Sequence, residues 1–156
     1  MAKIETARKL HFGHLDDLLQ EARRIAEGPN ARSRGSWTPA QNIWHVGRVI
    51  QASVEGFPGP VPFVFKLIGP LIKGRFLKRS FNPGIKLPPG LVDHFTPPPE
   101  TTPQQAIELI ESVVAKQKEQ GFIPASPLFG KLSAQQWIDL HCRHAEMHFG
   151  LIELTD

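Results

Sequence analysis

The chain has 156 residues, with 40% hydrophobic and 21% charged positions and a formal net charge of +3. That size and balance fit one domain, residues 1–156, built around one core, and they exclude a disordered chain or one made of membrane spans. An excess of three positive charges is too small to point to a nucleic-acid partner. One cysteine cannot close an internal disulfide, and the opening residues lack an apolar leader, so a cytoplasmic protein without a transmembrane segment is expected.

Residues 6–27 place Leu15, Leu18, Ala22 and Ile25 at helical spacing, and Gly28-Pro29-Asn30 ends the pattern. Three later stretches share one starting chemistry: TPAQ at Thr38, TPQQ at Thr102 and SAQQ at Ser133. In each, a hydroxyl accepts from the backbone N–H three residues on while the glutamine there reaches back to the cap, and Pro39 and Pro103 suit the first helical position. These boxes predict helices over 39–56, 103–120 and 134–153, the last with Leu132 and Trp137 spaced as a hydrophobic staple.

Residues 57–101 differ, holding ten of the fifteen prolines. Within them the apolar and basic run VPFVFKLIGPLIKGRFLKRSF is expected to form two short helical pieces broken at Gly69-Pro70. Four amphipathic helices predict an all-α chain, a four-helix bundle with a long crossover between helices two and three. Such a crossover would leave helices two and three parallel and helix four antiparallel to helix two.

That topology bears on the histidines of DLHCRHAEMHFG, residues 139–150. At about 100° per residue, His141, His144 and His148 fall within an arc of roughly 60°, on the stripe that carries Trp137, Leu140 and Leu151. His144 and His148 are one turn apart, so their Cβ atoms lie about 5–6 Å from each other and two imidazoles can converge on one ion. His45, on the apolar side of the second helix, is the candidate third ligand. It lies roughly 9 Å from the start of its helix while His144 and His148 lie roughly 7–14 Å from the end of theirs, depths that match only between antiparallel neighbours.

A single histidine on an apolar face is more often a packed core residue than a ligand, but three on facing stripes need partners for both nitrogens of each neutral ring, and a cation satisfies one nitrogen of every ligand. His141 is open between a fourth ligand, a donor behind the ligands, a catalytic proton carrier and a residue packed under the crossover. Gln41 has its capping duty. His11, His14 and His94 lack ligand spacing. Cys142 lies about 100–160° around the helix from the histidines, so it reads as a small packed residue rather than a nucleophile, and Glu146 is likewise turned away from His148.

No acidic residue occurs between Glu55 and Asp93, whereas Lys66, Lys73, Arg75, Lys78, Arg79 and Lys86 do. The stretch 62–86 reads as a solvated basic flank, as an anion-binding rim for a carboxylate-bearing thiol, or as a membrane-surface segment. Exposed apolar residues such as Phe63 and Phe65 leave room for a homodimer.

Taken in order, WTPAQNIWHV, FPGPVP, SPLFGKLS and WIDLHCRHAEMH resemble the DinB-like (YfiT-like) metalloenzyme superfamily, in a branch of small bacterial domains of unknown function. The resemblance extends over most of the chain. It implies a four-helix bundle with a crossover between helices two and three, and a metal site made by one histidine of helix two and two of an HxxxH on helix four: here His45, His144 and His148. Position 41 is glutamine where many relatives carry glutamate. The resemblance further implies a divalent-metal-dependent enzyme, a thiol-dependent S-transferase or a hydrolase acting on small molecules, with zinc, nickel or iron as the ion and a low-molecular-weight thiol as co-substrate. The alternative is a non-catalytic metal-binding or interaction module using the basic apolar crossover.

Overall fold

The computed structural model describes residues 4–155, which are mostly helical. In chain order the elements are α1 (Leu15–Glu27), β1 (Arg32–Ser33), α2 (Pro39–Glu55), α3 (Val64–Lys78), α4 (Pro89–Phe95), α5 (Pro103–Gln120), β2 (Ala125–Ser126), β3 (Gly130–Lys131), α6 (Ala134–Gly150) and β4 (Ile152–Glu153). Each capping box forms: Thr38, Thr102 and Ser133 accept from the N–H of Gln41, Gln105 and Gln136, and each glutamine accepts from its cap in return. None of the described helices is long and apolar enough to cross a membrane.

Pairwise contacts fix the directions of the long helices. Gly47 faces Ile110 and Glu55 pairs with Lys116, so α2 and α5 run the same way. Arg23 pairs with Glu111 and Asp16 with Lys118, so α1 runs against α5. Asn42 meets His148 and Ser53 meets His141, so α6 runs against α2. The closeness of α2 and α5 depends on Gly47, where an added Cβ would stand 3.3 Å from the Ile110 backbone. Leu18, Ile43, Val46, Ile50, Ile110 and Phe149 fill the space among these four helices. Each such side chain contributes about 1.5–3 kcal/mol by leaving water. Leu132 and Trp137 pack in a second cluster with Phe129 and Leu140, as their staple spacing predicts.

Three expectations from the sequence are corrected. The first helix begins at Leu15, not near residue 6. The Asp17 carboxylate accepts from the N–H groups of Gly13 and His14, which marks the start of the helix there. Residues before it lie along α6 instead: Ala7 and Arg8 donate to the Gly150 carbonyl, Phe12 N–H donates to Glu146 at 2.8 Å, and Arg143 donates to the Phe12 carbonyl. Secondly, α3 runs through Gly69-Pro70 without a break. Pro70 and Lys66 lie on its exposed side, where water takes the carbonyl that a proline leaves unpaired. Gly69 is the one buried residue of α3, and an added Cβ would lie 1.6 Å from the Leu128 carbonyl oxygen, so glycine seats the helix on the 126–130 loop. Thirdly, α6 stops at Gly150 rather than 153, because Ile152 and Glu153 pair with Ser33 and Arg32 in a short antiparallel ladder. α4 has no counterpart among the predicted elements.

Arg143 and Glu146 form a buried ion pair at 2.8 Å that fastens two segments to α6. Glu146 also accepts from Phe12 N–H and from the Ser80 hydroxyl. Removing one partner leaves a charge without compensation in the interior. Glu146→Ala is therefore expected to lower the urea-derived unfolding free energy by about 3–5 kcal/mol, with residues before α1 becoming the first to be cut by protease.

Candidate metal centre

His45 projects from the second turn of α2, and His144 and His148 from the last two turns of α6. All three rings are buried, and one ligand nitrogen from each lies within 4.8 Å of the others. The closest pair, His45 Nε2 and His144 Nε2, is 3.2 Å apart. Two imidazoles bound to a tetrahedral ion at about 2.0–2.1 Å hold their nitrogens roughly 3.3 Å from each other. The spacing of His45 and His144 is already that of a shared ion.

Hydrogen bonds set which nitrogen of each ring is free. His45 Nδ1 lies 2.7 Å from the carbonyl oxygen of Phe95, which can only accept, so Nδ1 carries the proton and Nε2 keeps its lone pair. Asn42 directs its amide nitrogen to the carbonyls of Trp37 and Thr38, so its oxygen is left to face His148 Nδ1 at 2.9 Å. His148 Nδ1 must then donate, and its Nε2 is free as well. His144 Nδ1 is buried with no partner. Without a cation, His144 either sets its lone pair against that of His45 at 3.2 Å or buries an unpaired Nδ1 lone pair. A cation at the three Nε2 atoms removes the repulsion, and the residues present fit such an ion.

Burial pushes His45 down to about 4, an effect only partly offset by the Phe95 carbonyl. Burial also lowers His144, reinforced by repulsion from His148, His45 and His141, and it lowers His148, reinforced by His45. All three rings are consequently neutral near pH 7, the state that ligates. Among the described residues this group holds three members. Three protein ligands leave a coordination position open, whereas structural zinc sites are closed by four.

Side chains from other elements enclose the cluster. Trp37 stacks on His148 with centroids 5.8 Å apart and lies 4.8 Å from His45, while Phe81 covers His144 at 5.3 Å. On one side is an apolar cavity of about 80 Å³, lined by His45, His144 and His141 together with Phe57, Phe95 and Trp137, among others.

His141 borders this cavity but does not join the ligand group. The Ser53 hydroxyl donates to the Ile50 carbonyl at 2.6 Å, so its oxygen accepts from His141 Nε2–H at 2.7 Å. The ring also stacks on Trp137, and burial pushes it down to about 3. Cys142 is packed in the main core, where burial pushes the thiol up to about 12, and Glu146 serves the ion pair on another side of α6. Gln41 caps α2 and donates to the Pro98 carbonyl at 3.1 Å. His11, His14 and His94 stand outside the cluster.

Comparison with known families gives one match. The model of a family described as a protein of unknown function, DUF1569, matches residues 4–155. The chain belongs to the DUF1569 family. No curated protein and no solved structure matches it. Membership in DUF1569 thus brings no assigned reaction, and the chemistry rests on the side chains themselves.

The buried imidazoles make folding sensitive to acid. Their protons bind the unfolded chain more readily than the folded one, so stability is fully present above about pH 6.5 and is lost as pH falls from there towards the folded values. Each histidine that must be protonated on unfolding contributes a slope of about 1.4 kcal/mol per pH unit. Metal-free protein is expected to show a urea midpoint that drops steeply from about pH 6.5 to pH 5 and is flat above pH 7. His141→Gln should make that slope shallower by about one proton, as measured from the same titrations.

Proposed function

We propose that this DUF1569 chain is a divalent-metal-dependent enzyme acting on a small molecule, with His45, His144 and His148 as the ligands. The observation that carries the reading is the convergence of three neutral imidazoles, two with Nδ1 committed to a hydrogen bond and Nε2 left free. A divalent ion there supplies Lewis acidity, which lowers the pKa of a water or thiol that reaches it. Zinc, nickel and iron all accept imidazole, so the ligand type is compatible with each.

The reaction we favour is thiol-dependent: transfer of a low-molecular-weight thiol to an electrophile, or hydrolysis of a thiol adduct. It follows the resemblance to the DinB-like superfamily, as does our reading of α1, α2, α5 and α6 as a four-helix bundle whose crossover carries α3 and α4. Parallel α2 and α5 joined by a long connection support that topology.

The protein's residues divide the work. Asn42 and the Phe95 carbonyl orient the ligand rings, and Trp37 and Phe81 keep bulk water from them. The adjoining apolar cavity takes an apolar portion of the substrate. His141 lines the same cavity with Nε2–H committed to Ser53. A proton-carrying role for it requires that hydrogen bond to be exchanged during the reaction, so Ser53→Ala would alter the pH profile of the reaction as well as its rate.

Protein purified without an affinity tag and loaded with zinc, nickel or iron should hold one ion per chain by elemental analysis. His45→Ala and His148→Ala should each reduce this to background, and Asn42→Ala should weaken affinity by about 10–100-fold through loss of ring orientation. Undiminished metal content in His45→Ala would exclude that residue from the site. A screen pairing small thiols with electrophiles, read as thiol consumption by loaded and metal-stripped protein, tests the reaction: equal rates in the two would end the enzyme reading.

A further inference from the structure

The outer face of α3 is apolar and exposed. Phe63, Leu67 and Leu71 are 68, 61 and 84% exposed, and Val64, Ile68 and Ile72 are exposed as well. At about 100° per residue, Phe63, Val64, Leu67 and Leu71 fall within an arc of roughly 100°, opposite the buried Gly69. Cations border that arc: Lys66 and Lys73 lie about 100–120° to one side of Leu67, Arg75 about 80° to the other, and Lys78 in line with the apolar residues three turns along. Arg79 and Lys86 follow, and the stretch from residue 56 to residue 92 contains no acidic side chain. Among the described residues none of these six cations forms an ion pair, and Lys73 donates only to the Lys131 carbonyl.

We propose that α3 is a docking surface for an anionic lipid bilayer, lying in the plane of the interface with Phe63, Val64, Leu67 and Leu71 entering the acyl boundary and the flanking cations on the headgroups. Four arguments favour lipid over other occupants. The apolar residues form a convex ridge rather than a groove, and fluid chains close around a ridge without needing a complementary shape. The bordering cations are mainly lysines, which are depleted at protein interfaces but keep their ammonium groups at headgroup level while laying their stems along apolar surface. A second copy of the chain would set this face against itself in a two-fold contact and bring like charges together. A chain segment without an acidic residue from 56 to 92, carrying six cations, suits a partner that is itself uniformly of the opposite sign.

The proposal is independent of the metal centre, since it uses no residue of the ligand group or cavity wall. Flotation of the full chain with phosphatidylcholine vesicles, with and without phosphatidylglycerol, tests it. The chain is expected to float with the anionic vesicles, to remain behind with the neutral ones and to be released by added salt. Leu67→Ser with Leu71→Ser should weaken binding by about tenfold or more, and Lys66→Gln, Arg75→Gln and Lys78→Gln by roughly fivefold each. All five positions are exposed, so circular dichroism and melting should match the parent chain. Failure to float with anionic vesicles, or flotation unchanged in the Leu67/Leu71 variant, would overturn the proposal. So would sedimentation showing a dimer that the same two substitutions dissociate while vesicles are ignored, or binding to an acidic protein surface with none to lipid.

Discussion

The meeting of α2 and α6 across a buried polar line is the constraint on which the remaining architecture depends. Asn42–His148, His45–His144 and Ser53–His141 follow one another along two helices running in opposite directions. A shift of either helix by one residue would turn its side chains by about 100° and leave several polar groups buried without partners. Apolar packing alone tolerates such slippage better, because a leucine in contact with a neighbouring isoleucine loses little. The polar line therefore sets the register, and Gly47 sets how closely α5 can approach behind it.

The same line explains why the imidazoles are neutral. Four histidines this close in an apolar interior cannot all be charged, and their pKa values are pushed down by burial before mutual repulsion adds anything. Neutral rings need tautomers, and carbonyl and amide partners fix two of them so that the free nitrogens face a common point. Among the four imidazoles of this line, the Nδ1 of His144 is buried without a partner. Its ring lines the apolar cavity, as that of His45 does, so the unpaired nitrogen belongs to a group placed between the cluster and the space beside it.

Much of this was legible in residues 38–48 and 133–148, because capping boxes and the spacing of His144 and His148 are local properties that propensity and periodicity report directly. The pairing with His45 was also legible, since helix depth converts sequence position into distance. What escaped was tertiary. The helix expected over 6–27 loses its first part, residues 6–14, because Glu146 and Arg143 take the backbone groups of Phe12. Pro70 signals a break, but the carbonyl it orphans faces water. Trp37 stands just ahead of a cap and gives no sign that it will stack on His148. The Phe95 carbonyl that orients His45 is a backbone atom with no sequence signature at all. Asn42 is one turn before His45, a spacing that could have marked it as a partner for a ring across the interface.

The connection from Gly56 to Thr102 is more than a tether between α2 and α5. It supplies Phe95 to His45 and Phe81 to His144, and the Pro98 carbonyl to Gln41, so two of the contacts that shape the site come from the connection and not from the long helices. Its own position is set by Glu146, which accepts from Ser80, and by the Arg143 carbonyl, which accepts from Phe81 N–H. α3 lies between the start of the connection and these anchors, seated on the 126–130 loop through Gly69. The inner face of α3 is already used: its Phe76 packs on Phe81 and Phe129, and Phe81 covers His144, so α3 helps hold an aromatic ring that keeps the surroundings of the imidazoles dry.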